Sequence, residues 1–548
     1  MHPDPARWRT RLDEGAIARF TDSGAWRNQT LGMRLDRLCQ ETPDHVLIID
    51  DHGAHSAVAL RRKALRFAGA LAALGLQRGD VVSFQLPNWH EAMIIDLACA
   101  YGGFVCNPIV PIYREHEVGF IVRGAQTRVL IVPDEYRDFA YAKMADRLQR
   151  SCPQLDHVFI ARSRTEISRS LHRRIEEGTP ISAAPPDPNH VKLLLYTSGT
   201  TADPKGVMHT HNTIDAEIHN FGSYLGLTSD DVVLMPSTLC HVTGYLYAIQ
   251  LPVTLGAKAI LMEKWSAEEA AHLIEQHKVT LTIGATPFLQ ELSQFALDSG
   301  RRLPSLRYFP TGGAPVPPSV VELAERSFAR CLSFRVYGST EAPTVTLGAL
   351  GDQPRLRRTT EGRVVGHEMR IVDDRNVPCA AGKEGEIVTR GPELFVGYAV
   401  WSENADAFDT EGFFHSGDLG MMTSDGCLIV TGRKKDIIIR GGENISSKEI
   451  EDLLATLPEI REVAVVGMPH ERLGETCCTF VSLREGASLQ LDDVRRAMLQ
   501  GGFAKQKWPE RLEVLEQLPR TAAGKISKKL LREMIRRSLA AEDAGSDV

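Results

Sequence analysis

The sequence lacks the features that mark disulfide-rich, zinc-binding, membrane-spanning and nucleic-acid-binding proteins. Its 548 residues include ten scattered cysteines with no C-x-x-C spacing, so neither a zinc site nor a disulfide framework is expected. The most apolar stretch, AMIIDLACAYGGFVCNPIV, contains Asp96 and Pro108 and is too interrupted to span a bilayer. The net charge of −7 gives no electrostatic reason to bind nucleic acid. We therefore expect a soluble globular protein that is not an integral membrane protein.

Targeting signals and two common nucleotide-binding patterns are also missing. The N-terminal stretch MHPDPARWRTRLDEGAIARF carries early acidic residues and no apolar core of signal-peptide length, which predicts a cytoplasmic protein. The P-loop pattern G-x-x-x-x-G-K-[ST] is absent, because Lys205 is followed by Gly206 and Lys525 by Ile526. The pattern G-x-G-x-x-G is absent from the loop before Lys205 as well. A kinase or a P-loop ATPase is therefore disfavoured.

Short apolar runs alternate with amphipathic stretches from residue 45 to residue 435. The runs that read as buried strands are VLIIDDHG, VVSFQLPN, TRVLIVPD, VKLLLYTS, DVVLMPS, AKAILM, VTLTIGA and LSFRVYG. Between two of them, Ser266 and Glu269 have the spacing of a helix-capping pair ahead of an amphipathic stretch. This alternation predicts an α/β fold with parallel or mixed sheets covered by helices.

The chain changes character after residue 430. GRKKDIIIRGGENIS reads as a turn, a strand and a glycine-containing loop, and SKEIEDLLATLPEI reads as a helix. Two more strands and two more helices complete a small α+β unit of ordinary domain size. We therefore expect two domains, a large one over 1–432 and a small mobile one over 433–548.

The stretch LYTSGTTADPKG at 195–206 combines many short donors with one cation. An apolar run ends in five small or hydroxylated residues, namely Thr197, Ser198, Gly199, Thr200 and Thr201. Hydroxyls and backbone N–H groups in such a turn form an anion-binding concavity, and Lys205 adds a charge that can meet phosphate. Open α/β sheets bind ligands where their strands end. We interpret the loop as a phosphate site, although a solvated connector has the same composition.

The same loop resembles the signature of the acyl-adenylating (ANL) enzymes, which include acyl-CoA synthetases, firefly luciferase and peptide-synthetase adenylation domains. Four further segments follow in the order and spacing of that family: PTGGAPV (310–316), YGSTEAP (337–343), FFHSGDLG with GRKKD (413–436), and LPRTAAGKISK (518–528). Ala202 stands where the family loop usually has a glycine. The resemblance extends over nearly the whole chain. It is greatest to the medium-chain and alicyclic (cyclohexanecarboxylate-type) acyl-CoA ligases.

The resemblance implies a role for each motif that contacts ATP. The Tyr337 ring stacks on adenine, Thr340 meets the α-phosphate, and Glu341 helps to hold Mg²⁺. Asp418 accepts hydrogen bonds from both ribose hydroxyls, and Arg433 lies near the ribose and phosphate. The motifs also assign nucleotide contacts to Gly313, Ala314, Pro315, Gly338 and Ser339.

The remaining implied roles concern catalysis, the acyl pocket and the thiol. Lys525 is the catalytic lysine that bridges the substrate carboxylate and the α-phosphate, and Lys435 is the pivot of the mobile domain. His241, Tyr245 and Gly312 are expected to line the acyl pocket. Gly441 and Gly442 are expected to let the pantetheine arm of CoA pass, because glycine has no side chain to obstruct it.

The implied reaction has two steps and needs ATP, Mg²⁺ and CoA. A carboxylate and ATP give acyl-AMP and pyrophosphate, and a thiol then displaces AMP. The expected acid is a medium-chain fatty acid or an alicyclic acid, and the protein is expected to be a monomer or a homodimer. The alternatives are an aromatic acid, transfer to a carrier protein, and a nucleotide-binding sensor without catalysis.

Overall fold

The computed structural model describes residues 8–163, 167–182, 184–197, 204–313, 316–348, 350–441, 443–521 and 525–546. They fall into two compact units. The larger unit comprises Met1–Glu368 and Thr389–Phe413, and the smaller comprises Met369–Val388 and Phe414–Val548. Both units combine sheets with helices, so the predicted α/β class is confirmed.

The elements are numbered in chain order. The strands are β1 (Val46–Asp50), β2 (Gly53–Ser56), β3 (Val81–Phe84), β4 (Val105–Pro108), β5 (Thr127–Pro133), β6 (Glu135–Tyr136), β7 (Phe139–Ala140), β8 (His157–Ala161), β9 (Val191–Thr197), β10 (Lys205–Thr210), β11 (Val232–Met235), β12 (Lys258–Leu261), β13 (Leu281–Thr282), β14 (Tyr308–Gly312), β15 (Leu332–Tyr337), β16 (Thr346–Leu347), β17 (Arg363–Val364), β18 (Glu368–Val372), β19 (Gly385–Arg390), β20 (Phe414–Met422), β21 (Leu428–Arg433), β22 (Ile437–Arg440), β23 (Glu443–Ser446), β24 (Ile460–His470), β25 (Gly474–Leu483) and β26 (Arg511–Val514). The α-helices are α1 (Glu14–Asp22), α2 (Leu31–Glu41), α3 (Ala57–Ala73), α4 (His90–Gly102), α5 (Glu115–Gly124), α6 (Tyr141–Ser151), α7 (Leu171–Glu177), α8 (His211–Leu225), α9 (Val242–Tyr245), α10 (Leu251–Leu255), α11 (Ala267–His277), α12 (Thr286–Ser299), α13 (Pro318–Ser327), α14 (Pro354–Thr359), α15 (Ser447–Leu454), α16 (Leu491–Gln500) and α17 (Lys528–Ser546).

The larger unit contains two main sheets. Nine strands form one sheet in the order β17-β16-β15-β14-β13-β11-β12-β1-β2, parallel from β15 to β1 and antiparallel at both edges. Six strands form the other in the order β10-β9-β4-β3-β5-β8, and all of its pairs are parallel except the antiparallel pair of β9 with β10. Each apolar run that the sequence predicts as a strand contains one of these strands, although β13 has only two residues.

The most apolar stretch of the sequence forms a core helix. Most residues of α4 are buried, and Ile95 and Leu97 belong to the same apolar cluster as Phe67 of α3 and Leu193 of β9. A helix that is apolar on all sides is buried in the interior of a domain or in a membrane. Within the described ranges, every helix is too short or too polar to traverse a bilayer.

The smaller unit contains a four-stranded sheet, β18-β19-β20-β21, which lies mostly within it, and a five-stranded sheet built on β24 and β25. Side chains of β24 alternate between two apolar clusters, as a period of two requires. Val465 packs in the cluster that contains Ile450 of α15, and Val466 packs with Leu531 of α17. Helices therefore cover both faces of this sheet. Residues 369–388 and 414–432 group with the C-terminal residues, whereas the boundary at 432/433 follows from a predicted pivot and stays a prediction.

Candidate active site

The predicted phosphate loop connects two paired strands of the larger unit. β9 continues from the parallel part of its sheet and pairs antiparallel with β10, and Thr197 lies directly opposite Lys205. The two ends of the loop are therefore neighbours at the carboxyl end of β9, where α/β sheets bind ligands. Ser198, Gly199, Thr200 and Thr201 lie outside the described residues.

A tyrosine that the sequence motifs do not include joins Lys205 to Glu341. Residues 395–399 run beside β10, where Tyr398 pairs with Val207 and the Ala399 N–H donates to the Gly206 carbonyl at 2.8 Å. The Lys205 Nζ atom lies 4.7 Å from the centre of the Tyr398 ring, a cation–π distance. On its other side, the Tyr398 hydroxyl donates to Glu341 Oε1 at 2.9 Å. One phenol thus contacts both the predicted phosphate-binding cation and the predicted metal ligand.

The turn that carries Thr340 and Glu341 is held through its backbone as well. The His209 Nε2 atom donates to the Thr340 carbonyl at 2.8 Å, and the Phe395 N–H donates to the Glu341 carbonyl at 2.8 Å. The Ser339 N–H donates to the Ala342 carbonyl within the turn. Gly338 is needed here, because a Cβ atom would lie 1.9 Å from the Pro343 carbonyl oxygen.

His209 is a neutral hydrogen-bonding bridge. It is buried in β10, and burial lowers the pKa of its imidazole to about 4. A carbonyl oxygen only accepts, so the proton of the neutral ring is on Nε2. The Nδ1 atom then accepts from the Thr213 hydroxyl at 3.1 Å. The ring therefore connects the strand that begins at Lys205 to the turn that ends at Glu341.

The predicted adenine segment lies beside the end of β15. Tyr337 is the last residue of that strand and is buried. Gly312 ends the neighbouring strand β14, and a Cβ atom there would lie 2.5 Å from the Val336 carbonyl oxygen. Gly313 has φ +74°, a left-handed conformation that favours glycine. Ala314 and Pro315 lie outside the described residues.

The two predicted acyl-pocket residues on α9 differ in their surroundings. His241 is the N-cap of α9 and is partly exposed, and its Nδ1 atom accepts from the Thr243 N–H at 3.4 Å. Tyr245 is 0% exposed. Its hydroxyl donates to Asp96 Oδ1 at 2.5 Å and accepts from Lys192 Nζ at 2.5 Å. Tyr245 is therefore part of a buried polar network, and its contact with an acyl group stays a prediction.

In the smaller unit, Asp418 and Arg433 lie together. They are directly opposite in the β20–β21 pair, and Arg433 Nε lies 2.7 Å from Asp418 Oδ1. The Asp418 N–H donates to the Ser416 hydroxyl at 3.1 Å. A carboxylate has acceptor capacity beyond one guanidinium contact, so this pair is compatible with the predicted ribose contact.

The predicted pivot lies in a short turn with an ionic contact on each side. A single 3₁₀ turn spans Lys434–Asp436. The Lys434 Nζ atom donates to Glu386 Oε2 of β19 at 2.8 Å. Arg532 of α17 contacts Asp436 Oδ1 at 2.6 Å and the Lys435 carbonyl at 3.4 Å. Lys435 is therefore flanked by residues tied to two different elements of the smaller unit.

Two further predicted residues of the smaller unit, Gly441 and Lys525, are exposed. Gly441 has φ +60°, and its N–H donates to the Leu473 carbonyl at 2.7 Å. Gly442 lies outside the described residues. Lys525 precedes α17, and its carbonyl accepts from the Thr521 N–H at 2.6 Å. This contact involves the Lys525 backbone, and the Lys525 side chain is at the surface of the unit.

Tyr398 and His209 are the positions that reasoning from the sequence missed. Tyr398 lies in GPELFVGYAV, a segment without a recognised motif, and contacts Glu341 from 57 residues away. His209 precedes another histidine at spacing i, i+2, which resembles half of a metal site but leads here to a backbone carbonyl. The pairing of residues 395–399 with β10 brings Tyr398 to the turn, whereas His209 lies on β10 itself.

Comparison with known proteins identifies the family. Residues 35–399 match the AMP-binding enzyme family, and residues 449–525 match the AMP-binding enzyme C-terminal domain. The medium-chain fatty-acid–CoA ligase of Escherichia coli is 36% identical over 96% of this chain and 94% of its own length. The salicyl-AMP ligase / salicyl-S-ArCP synthetase of Mycobacterium tuberculosis is 31% identical over 94% of this chain and 92% of its own.

A solved structure agrees in fold. ATP-bound MatB from Rhodopseudomonas palustris has a TM-score of 0.83 at 26% identity, covering 92% of this chain and 99% of MatB. The chain thus matches both the AMP-binding enzyme family and the C-terminal domain of that family. This protein therefore belongs to the AMP-binding enzyme family and is an AMP-forming acid–thiol ligase.

Proposed function

We propose that this protein is an AMP-forming acyl-CoA synthetase that acts on a medium-chain fatty acid or an alicyclic acid. The observation that carries the proposal is the assembly of Lys205, Tyr398 and Glu341 at the end of the β9–β10 hairpin. A cation and a carboxylate fixed at one place suit a substrate that consists of polyphosphate and a divalent metal ion. The similarity to the E. coli medium-chain ligase supports the choice of acid and of CoA.

In the first half-reaction, a carboxylate oxygen of the acid attacks the α-phosphorus of ATP, and the bond to pyrophosphate breaks. Both reactants are anionic, so the main task of the protein is to offset their repulsion. Lys205 and the donors of its loop hold phosphate oxygens, and Thr340 meets the α-phosphate. Lys525 bridges the attacking carboxylate and the α-phosphate. No general base is needed, because the acid is already ionised near neutral pH.

The Glu341 carboxylate has the chemistry of a magnesium ligand. Hard divalent cations take oxygen ligands, and carboxylates are their preferred protein donors. The Tyr398 hydroxyl uses one acceptor site of this group, which has several. When bound, Mg²⁺ neutralises phosphate charge. The protein positions Glu341 through its backbone, because His209 donates to the Thr340 carbonyl and the Phe395 N–H donates to the Glu341 carbonyl.

In the second half-reaction, the thiol of CoA attacks the acyl carbon and AMP leaves. Lys525 is not required for this step, so the C-terminal domain is free to turn about Lys435 and present Gly441 and Gly442 to the thiol arm. The ionic contacts of Lys434 and Asp436 support a pivot at Lys435, because they restrain the residues on both sides of it.

Substitution of the catalytic lysine tests the proposed mechanism. Lys525→Ala should abolish acid-dependent pyrophosphate release while leaving thioester formation from supplied acyl-AMP largely intact. Lys529→Ala is a matched control, since Lys529 is an exposed lysine of the same segment. An equal loss in both half-reactions would contradict the assignment of Lys525 to the first step only.

An acid panel tests the proposed substrate and acceptor. Short, medium, long, alicyclic and aromatic acids are compared by pyrophosphate release and by CoA-thioester yield. Medium-chain or alicyclic acids should be preferred, with stoichiometric thioester. Preference for salicylate-like acids would favour the aromatic alternative, and pyrophosphate without thioester would favour a carrier protein as acceptor. A protein that releases no pyrophosphate with any acid would be a nucleotide sensor.

A further inference from the structure

We propose that Tyr398 is a positioning residue that orients the Glu341 carboxylate for the metal and Lys205 for the phosphates. The proposal rests on the function proposed above and assigns a task to a side chain outside the sequence segments named above as resembling the family. Tyr398 would not touch the substrate atoms that react. It would act through the two groups on either side of its ring.

The first support is that the phenol is a fixed hydrogen-bond donor. Tyr398 is 5% exposed, and its hydroxyl lies beside the Glu341 carboxylate. The hydroxyl donates to Glu341 Oε1 at 2.9 Å, because a carboxylate oxygen only accepts. A hydrogen bond to a carboxylate is stronger than one between neutral groups, so it restricts the rotation of the Glu341 side chain.

The second support is that the ring itself cannot easily move. Its backbone pairs with Val207 of β10, and the ring packs 4.8 Å from that of Phe395. Asn404 holds the same residue through Oδ1, which accepts from the Tyr398 N–H at 2.8 Å. A donor fixed in this way behaves like the outer-shell partners that orient metal ligands in other proteins.

The third support is the position of Lys205 on the ring. The Lys205 Nζ atom is 4.7 Å from the ring centre, so the ammonium is attracted to the π face while the hydroxyl points to Glu341. Because the two interactions use different parts of one side chain, substitutions can separate them. Tyr398→Phe removes the hydroxyl and keeps the ring, and Tyr398→Leu removes both.

The test compares binding of Mn²⁺ in the presence of ATP, followed by electron paramagnetic resonance without acid or turnover. Tyr398→Phe should weaken Mn²⁺ binding roughly tenfold, the scale seen when an outer-shell partner is lost. Metal-free ATP should bind Tyr398→Phe as it binds wild type, and Tyr398→Leu should weaken both. Tyr224→Phe is the matched control, because its hydroxyl also donates a hydrogen bond, in this case to the Gly348 carbonyl at 3.4 Å.

A merely structural role predicts a different result. It would lower the melting temperature of Tyr398→Phe and leave the Mn²⁺ affinity of the folded protein unchanged, and that outcome would overturn the proposal. In a Glu341→Ala background, Tyr398→Phe should have no further effect on Mn²⁺ binding, and an additive loss would also count against it. The measurement needs no acid. A wild type that binds Mn²⁺ and ATP but never releases pyrophosphate would therefore refute the proposed function separately.

Discussion

The buried network around Tyr245 allows one quantitative prediction about a residue that the sequence assigns to the acyl pocket. The Asp96 carboxylate is 0% exposed and accepts from Lys192 Nζ at 2.8 Å, from Gln250 Nε2 at 2.8 Å and from the Tyr245 hydroxyl. Lys192 is 1% exposed. Tyr245→Phe deletes the hydrogen bond to Asp96 and the one from Lys192 Nζ to the phenol oxygen, and it keeps the ion pair.

The size of the effect follows from what each substitution leaves behind. A hydrogen bond to a charged group contributes about 1.5–3 kcal/mol. Tyr245→Phe removes two of them, but Lys192 and Asp96 still contact each other directly, so the losses are not additive and the free energy of unfolding should fall by about 1.5–3 kcal/mol in all. Asp96→Ala leaves the Lys192 ammonium buried without a counter-charge and should lower it by about 3–5 kcal/mol. The order of the two effects, Asp96→Ala larger than Tyr245→Phe, depends only on the loss of the ion pair.

Urea unfolding, together with kinetics measured against the concentration of the acid substrate, decides whether Tyr245 has a structural role or contacts the acyl group. If Tyr245 serves only the buried polar network, the Tyr245→Phe protein is less stable than wild type and keeps the wild-type KM for its acid. A Tyr245→Phe protein with wild-type stability and a raised KM would show that the hydroxyl serves the acyl group instead. His241→Ala provides the contrast, since His241 is partly exposed and predicted to lie beside the acid carboxylate.

Two further predictions concern His209 of β10 and Gly441. The pKa of His209 is about 4 in the folded protein and near 6.5 when unfolded, so its contribution to stability is complete above pH 6.5 and declines by about 1.4 kcal/mol per pH unit down to pH 4. The stability difference between wild type and His209→Leu should therefore shrink from pH 7 to pH 5 in urea titrations, and a constant difference would be inconsistent with a buried neutral ring. Gly441→Phe should slow thioester formation from supplied acyl-AMP more than pyrophosphate release, whereas Gly441→Asn, which tolerates φ +60°, should slow it less. Equal slowing of both half-reactions by Gly441→Phe would argue against a thiol path at this glycine.

The strands and the active-site turns were predictable because their signals are local. β3 and β5 are buried along their whole length or nearly so, and parallel strands of this kind produce the uninterrupted apolar runs that the sequence shows. Thr340 and Glu341 were predicted as site residues because they lie in one contiguous motif with Tyr337, and their roles stay predictions. The predicted cap at Ser266 was found for the same reason, and its hydroxyl accepts from the Glu269 N–H at 3.4 Å.

The contacts that were not predictable join residues far apart in the chain. Tyr245 meets Asp96 over 149 residues, and His209 meets Thr340 over 131 residues. No periodicity or spacing signals such pairs, because they depend on how helices and strands are arranged and on which polar groups become buried together. The sequence around Tyr245 is compatible with a residue that lines an acyl pocket. The ion pair that its hydroxyl contacts is visible only in the structure.

The imidazole of His209 also provides a spectroscopic probe of the turn that it contacts. Its two ring nitrogens are unlike, one bearing the proton that reaches Thr340 and the other facing a hydroxyl. In a ¹⁵N-labelled sample the protonated and bare nitrogens resonate far apart, and they would converge if the turn left the strand and the ring exchanged tautomers. Spectra recorded with nucleotide, acid or product would therefore report whether the turn that carries Thr340 and Glu341 stays hydrogen-bonded to His209 in each state.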